Sequence, residues 1–182
     1  MAKVKNFALL TVIILLSACA ANIPRTGQPG IVLSPASLGE TISVQHRMLV
    51  EQNGRTDTID IVLEIDSERL DMIGLVMGQR VLSLHYDGSK LMSWRHFLVP
   101  KQLQAKDVLE NLQLTLWPFE VIKKALPSDW QIKENDNLRT LYLQNEKIIE
   151  ISYSKYPRWI GTIKFVNLRY NYVLNIESVL IE

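Results

Sequence analysis

The 182-residue chain has one cysteine, three histidines and almost no charge imbalance, its formal net charge being +1. A single cysteine excludes an internal disulfide framework and the Cys-x-x-Cys pairs that hold zinc or carry redox chemistry. His46, His85 and His96 fall in three separate segments, without His-Glu-x-x-His or another metal-ligand spacing. There is no Gly-rich phosphate loop and no Gly-x-Ser-x-Gly serine elbow. A near-neutral chain without a basic run lacks the electrostatic footprint of a nucleic-acid binder. No stretch reaches the roughly 20 apolar residues with which a helix crosses a bilayer. The acidic residues fall on the polar phase of strands and in turns, where they read as solvated. The sequence therefore points to no enzyme, no metal and no cofactor.

What is present begins at the N-terminus. Lys3 and Lys5 precede an apolar run over 7–16, and Ser17, Ala18, Ala20 and Ala21 follow it. Charge, apolar core and small residues, in that order, make a secretory signal peptide. Cys19 stands directly after Leu16-Ser17-Ala18, and these four residues resemble the lipobox of bacterial lipoproteins. The resemblance implies that the Cys19 thiol takes a diacylglyceryl group, that a peptidase removes residues 1–18, and that the freed amino group is open to acylation by a fatty acid such as palmitate. A thiol suits that chemistry because its thiolate is a strong nucleophile. Two or more acyl chains anchor stably, where one holds only marginally. An ordinary signal peptide cut after Ala18 or Ala20 is the alternative, although it would export a lone thiol into an oxidising compartment. Residue 20 is Ala rather than Asp, which by analogy with enterobacterial lipoproteins implies the outer membrane, on its periplasmic side. Pro24, Gly27, Pro29, Gly30, Pro35 and Gly39 punctuate the next stretch, so residues 19–40 are expected to be a lipidated flexible tether. Residues 41–182 have the size of one domain.

Within that domain the hydrophobic period changes twice. Ile42, Val44, His46, Met48 and Val50 alternate with polar residues, as in a half-buried strand. His46 in that apolar register reads as a hydrogen-bonded core histidine. Asn53-Gly54 is a hairpin turn, and a second strand over 58–66 follows with Ile59, Ile61, Leu63 and Ile65 inward. Further strands are expected over 69–77, 81–86 and 90–97, separated by Gly78-Gln79 and Asp87-Gly88. Ala105, Val108, Leu109, Leu112 and Leu116 then lie on one face of a helix. Pro118 suits the start of a second helix, with Phe119, Val121, Ile122, Ala125 and Leu126 on its apolar side and Pro127 beyond it. Strands return over 130–134, 138–144, 147–154, 161–168 and 172–180. The order strands, helices, strands predicts an α+β fold with one large antiparallel sheet. About ten strands curl rather than lie flat, so the sheet is expected to be a half-barrel covered by one or two helices. Either the helices fill its concavity or a ligand cavity remains beneath them. Trp94, Trp117, Trp130 and Trp159 are read as core packing or, in part, as lining of such a cavity.

Asp107-Val108-Leu109, Leu112-Gln113-Leu114 and Trp117-Pro118, together with the closing strand Tyr172-x-Leu174-x-Ile176, resemble a family of small bacterial lipoproteins of unassigned function. The resemblance implies a fold like that of the lipoprotein-localisation factors LolA and LolB, which carry acyl chains in an apolar cavity. It also implies a neighbourhood of aryl-polyene or fatty-acid-like synthesis. The expectation is an outer-membrane lipoprotein that binds or transfers a lipid or acyl chain. Trp94, Leu109, Leu112, Leu116, Trp117 and Phe119 are the candidate cavity lining. The alternative is a non-catalytic accessory subunit of an envelope export or synthesis system, with an envelope protein as partner.

Overall fold

In the computed structural model, residues 27–97, 99 and 103–180 are described; Cys19 and the expected signal peptide over 1–18 lie outside them. Period-two alternation produces two meanders. The first is β1 (Ile42–Gln52), β2 (Arg55–Ile65), β3 (Leu70–Val76), β4 (Gln79–Tyr86) and β5 (Leu91–Arg95). The second is β6 (Trp130–Asn135), β7 (Leu138–Leu143), β8 (Glu146–Tyr153), β9 (Gly161–Asn167) and β10 (Tyr172–Leu180). Between them stand α1 (Ala105–Leu116) and α2 (Phe119–Ala125). The meanders join into one ten-stranded sheet, in the order β5-β4-β3-β2-β1-β10-β9-β8-β7-β6. The seam is the antiparallel pairing of β1 with β10, Val44 opposite Leu180 through Gln52 opposite Tyr172.

Two turns fix one end of this sheet. Asn53 and Gly54 have φ 52° and 75°, and Met77 and Gly78 have 51° and 75°. Both turns place two residues in the left-handed region, the geometry that matches strand twist in a tight hairpin. The β9–β10 turn and the exit of β5 lie at the same end, since Tyr172 pairs with Gln52 and Arg95 pairs with Leu82 near the start of β4. We call this the hairpin end. At the opposite end the Asp66 carboxylate accepts from the Glu68 and Arg69 amides, and the Asp87 carboxylate from those of Ser89 and Lys90. The Asp87 carboxyl is accordingly held down to about 2, the Lys90 and Ser89 amides being the main cause.

The inner face of the sheet is apolar and covered; the outer face is largely solvated. Along β1 the residues Ile42, Val44 and His46 are buried while Ser43, Gln45 and Arg47 are exposed. Helix α1 runs along the inner face from the hairpin end, where Asn111 donates to the Tyr172 hydroxyl, toward the opposite end. There its last carbonyls are taken up: Arg139 Nη1 donates to Leu114 O at 2.6 Å and the Tyr153 hydroxyl donates to Thr115 O at 2.8 Å. A guanidinium at a helix C-terminus is also favoured by the helix dipole. Burial pushes the Tyr153 phenol up to about 12, so it remains a donor.

The expected tether is corrected by the structure from Gly27 onward. Residues 27–39 form a strap that runs beside α1, with Ile31, Leu33 and Leu38 in the core and Val32 turned outward. The short 3-10 helix Pro35–Leu38 closes it, and Gly39 at φ 82° turns the chain into β1. A tether solvates its backbone, whereas this segment hands its backbone groups to buried side chains of the helix.

Candidate functional site

The concavity under the helices is the place where the sequence suggested a ligand. Leu109, Leu116 and Trp117 lie there and are buried at 1%, 3% and 0% exposure. They pack into one apolar cluster with Leu63, Met72, Leu84, Leu141, Ile151 and Phe165. At these residues the concavity is filled. Part of the filling is the strap, an element absent from the sequence expectation of one or two covering helices.

The polar face of α1 holds that strap. Glu110 Oε1 accepts from the amides of Gly30 and Ile31. Gln113, fully buried, accepts from the Leu33 amide at 2.9 Å and donates to the Leu33 carbonyl at 2.7 Å. Gln28 donates to Asn111 Oδ1 and to the Asp107 carbonyl. The Trp117 indole donates to Ser37 Oγ at 2.9 Å and reaches the Ser34 carbonyl. At the hairpin end the Gly27 amide donates to the Tyr170 hydroxyl and its carbonyl accepts from Asn167. These bonds explain the helix motif: Gln113 and Trp117 are strap anchors. Burial pushes the Glu110 carboxyl above its usual range, against the two amide donors that pull it down.

Cover thins toward the hairpin end. On β1, burial runs from Ile42, Val44 and His46 to half-exposed Met48 and Val50. On β2 it runs from Ile65, Leu63 and Ile61 to half-exposed Ile59. Leu174 and Ile176 of β10 continue the half-covered row, opposite Val50 and Met48. Val108 and Leu112 of α1 are half-buried against the same core. Phe119, on α2, is half-buried, with the Lys123 ammonium 5.5 Å from its ring centroid. Of the six residues expected to line a cavity, Leu112 therefore borders incompletely covered apolar surface; Leu109, Leu116 and Trp117 do not, and Phe119, which follows the C-terminus of α1, lies toward the opposite end, away from that surface. Met48, Val50, Ile59, Leu174 and Ile176 border it too; their inward register was readable, their partial exposure was not.

Trp94 departs further from expectation. It pairs with Ser83, out of phase with Leu82 and Leu84, so it lies on the outer face, away from the helices. It is 44% exposed and borders a shallow depression of about 450 Å³ with Ile73, His85 and Met92. Arg80 stacks over its ring at 5.0 Å. In the same depression His85 Nδ1 lies 2.7 Å from Asp71 Oδ1, and Asp71 also pairs with Arg69 at 3.0 Å. Both members are more than a third exposed, so the pair is an ordinary solvated contact.

Three buried polar atoms among the described residues have no partner: His46 Nε2, Ser178 Oγ and Arg139 Nη2. His46 and Ser178 are directly opposed on β1 and β10. His46 is buried as the alternation implied, but the hydrogen bond expected of it is missing at Nε2. Burial lowers its pKa to about 4, so it is neutral at physiological pH. No group of three or more His, Cys, Asp or Glu capable of holding a metal occurs among the described residues.

The fold defines an open antiparallel half-barrel whose inner face is covered by two helices and a strap. The chain belongs to the family described as protein of unknown function (DUF3261), whose model matches residues 43–180. Among solved structures it is similar to the LolA superfamily protein NE2245 from Nitrosomonas europaea, at 10% identity over 84% of this chain and 95% of that one, with a TM-score of 0.38. It is also similar to chains of two MucA/MucB complexes. The one from Pseudomonas aeruginosa matches at 14% identity over 80% of this chain with a TM-score of 0.43, and the MucB complex with MucA(peri) at 13% over 82% with 0.40. The match spans about half of each of those two chains, 52% and 54%. No curated protein shows significant sequence similarity.

Proposed function

We propose that this chain is a lipid-anchored envelope protein that seats an acyl chain or comparable apolar ligand at the hairpin end of its inner face. The observation that carries the reading is the row Met48, Val50, Ile59, Leu174 and Ile176, apolar, inward-facing and incompletely covered. Concave apolar surface with few polar groups is the usual seat of a hydrophobic ligand. The signal sequence and lipobox at 1–19 support export and anchoring through Cys19, with the outer membrane as destination. The role is binding or transfer rather than catalysis. Purification of the full chain from membranes followed by native mass spectrometry is expected to reveal a co-purifying lipid. A fluorescent fatty acid is expected to bind, and Ile176→Asp to weaken its binding about tenfold or more, since a buried unpaired carboxylate opposes an apolar ligand. Absence of both lipid and fatty-acid binding would overturn the reading.

A second reading rests on the outer face. Ile73, Met92 and Trp94 expose apolar surface beside β5, an edge strand of the sheet. Exposed apolar surface at a strand edge suits a protein partner. In that case the chain is an accessory subunit of an export or synthesis system. Recovery of a stoichiometric envelope protein, lost in Trp94→Glu, would favour it.

A further inference from the structure

The exposed apolar side chains are unevenly distributed. Met77 is 97% exposed at the β3–β4 turn and Phe97 85% exposed after β5. Leu168 and Tyr170, in the β9–β10 turn, are 52% and 46% exposed, and Leu103 before α1 is 42% exposed. All five belong to the hairpin end, where Arg55, Arg80 and Arg95 are also exposed, Arg55 3.8 Å from Asp57, Arg80 over the Trp94 ring and Arg95 donating to the Leu103 carbonyl. The opposite end exposes Tyr156 and Leu138, but its tight turns are built on Asp66 and Asp87.

The strap sets where the preceding chain departs. Gly27 is pinned to Tyr170 and Asn167, so the described chain begins at the hairpin end. Eight peptide steps separate Cys19 from Gly27, and fully extended they span at most about 28 Å. An acyl group on Cys19 therefore keeps this end within about 28 Å of the bilayer surface, while the opposite end is tied only through the length of the domain.

We propose that the hairpin end docks directly on the lipid surface, with Phe97, Met77, Leu103, Leu168 and Tyr170 in the interfacial layer and the nearby arginines at the phosphates. Apolar and aromatic side chains partition into that layer, and arginine stems lie along it with their charge in the headgroups. The proposal rests on the anchor reading, and adds an orientation in which the half-covered apolar row opens toward lipid rather than toward the periplasm.

The test uses the full chain. With Cys19 acylated, the chain has no other thiol, so Met77→Cys, Phe97→Cys and, as the opposite-end control, Ser89→Cys each provide one labelling site. Each variant is labelled with a small thiol-reactive fluorophore and reconstituted into phosphatidylethanolamine–phosphatidylglycerol vesicles carrying a spin-labelled lipid quencher. Expected is a loss of emission at positions 77 and 97 and none at 89. Vesicle flotation with equal emission at all three positions would overturn the docking and leave the anchor standing. Failure to float would overturn the anchor and the docking together. Quenching strongest at position 89 would reverse the orientation and so refute the proposal.

Discussion

His46 places an ionisable ring in an apolar row with its Nε2 unpaired. Its folded pKa is about 4, below the ordinary 6.5, because burial opposes the charged form. The folded state thus binds that proton more weakly than the unfolded chain. Stability from this residue is full above pH 6.5 and declines as pH falls from 6.5 toward 4, by about 3 kcal/mol at most. Glu110 acts in the other direction, since its raised pKa makes the folded state hold a proton more tightly on acidification. Denaturant unfolding of the wild type and His46→Phe across pH 7 to 4 separates the two: the variant should lose the His46 part of the slope. Equal slopes would show that His46 is not neutral and buried in solution. Sequence reasoning placed this histidine in the core from its phase alone. It could not see that its cross-strand neighbour Ser178 also lacks a partner, because that pairing joins residues far apart in the chain.

At the scale of elements, strands and helices were legible because each repeats a period that burial enforces. The strap was not, because nothing in it repeats. Pro29, Gly30, Pro35 and Gly39 give a segment the composition of a linker. Its stability comes from Glu110 and Gln113, which on the helix look like an ordinary polar face. The available signal was the apolar triplet Ile31-Val32-Leu33, whose outer members are buried. Trp94 misled for a different reason: a large aromatic was read as core or cavity lining, whereas on the short edge strand β5 the inward phase is Leu91, Ser93 and Arg95 and Trp94 falls in the outward one. Gln113→Ala should leave the Leu33 N–H and C=O unpaired, at a cost on the order of 3 kcal/mol. Hydrogen exchange at the Ile31 and Leu33 amides should accelerate in that variant, while the β1–β10 seam amides slow or speed only with global stability. Unchanged exchange at Ile31 and Leu33 would mean that the strap does not depend on Gln113.

At the scale of the whole molecule, the proposed lipid on Cys19 would couple the domain to its location. Cys19→Ser is expected to accumulate as an unprocessed precursor that takes up no labelled palmitate. A mutant still cleaved and membrane-bound like the wild type would leave the lipobox reading without support. If Cys19 carries the lipid as proposed, deleting residues inside 20–26 should change the height of the domain above the bilayer, whereas deletions inside 27–39 should disturb the core itself, where Ile31, Leu33 and Leu38 are buried.

The β1–β10 seam ties the order in which the sheet closes to the order of the chain. The two strands at the middle of the sheet are the first and last of the ten in sequence. Neither meander can be joined to the other until the final strand is available, so the centre of the sheet forms last in time. A chain threaded through a narrow export channel from its N-terminus would present β1 with one open edge until β10 arrives. Long sequence separation of this kind slows folding, and under the proposed export the delay would coincide with the interval in which the chain must stay unfolded.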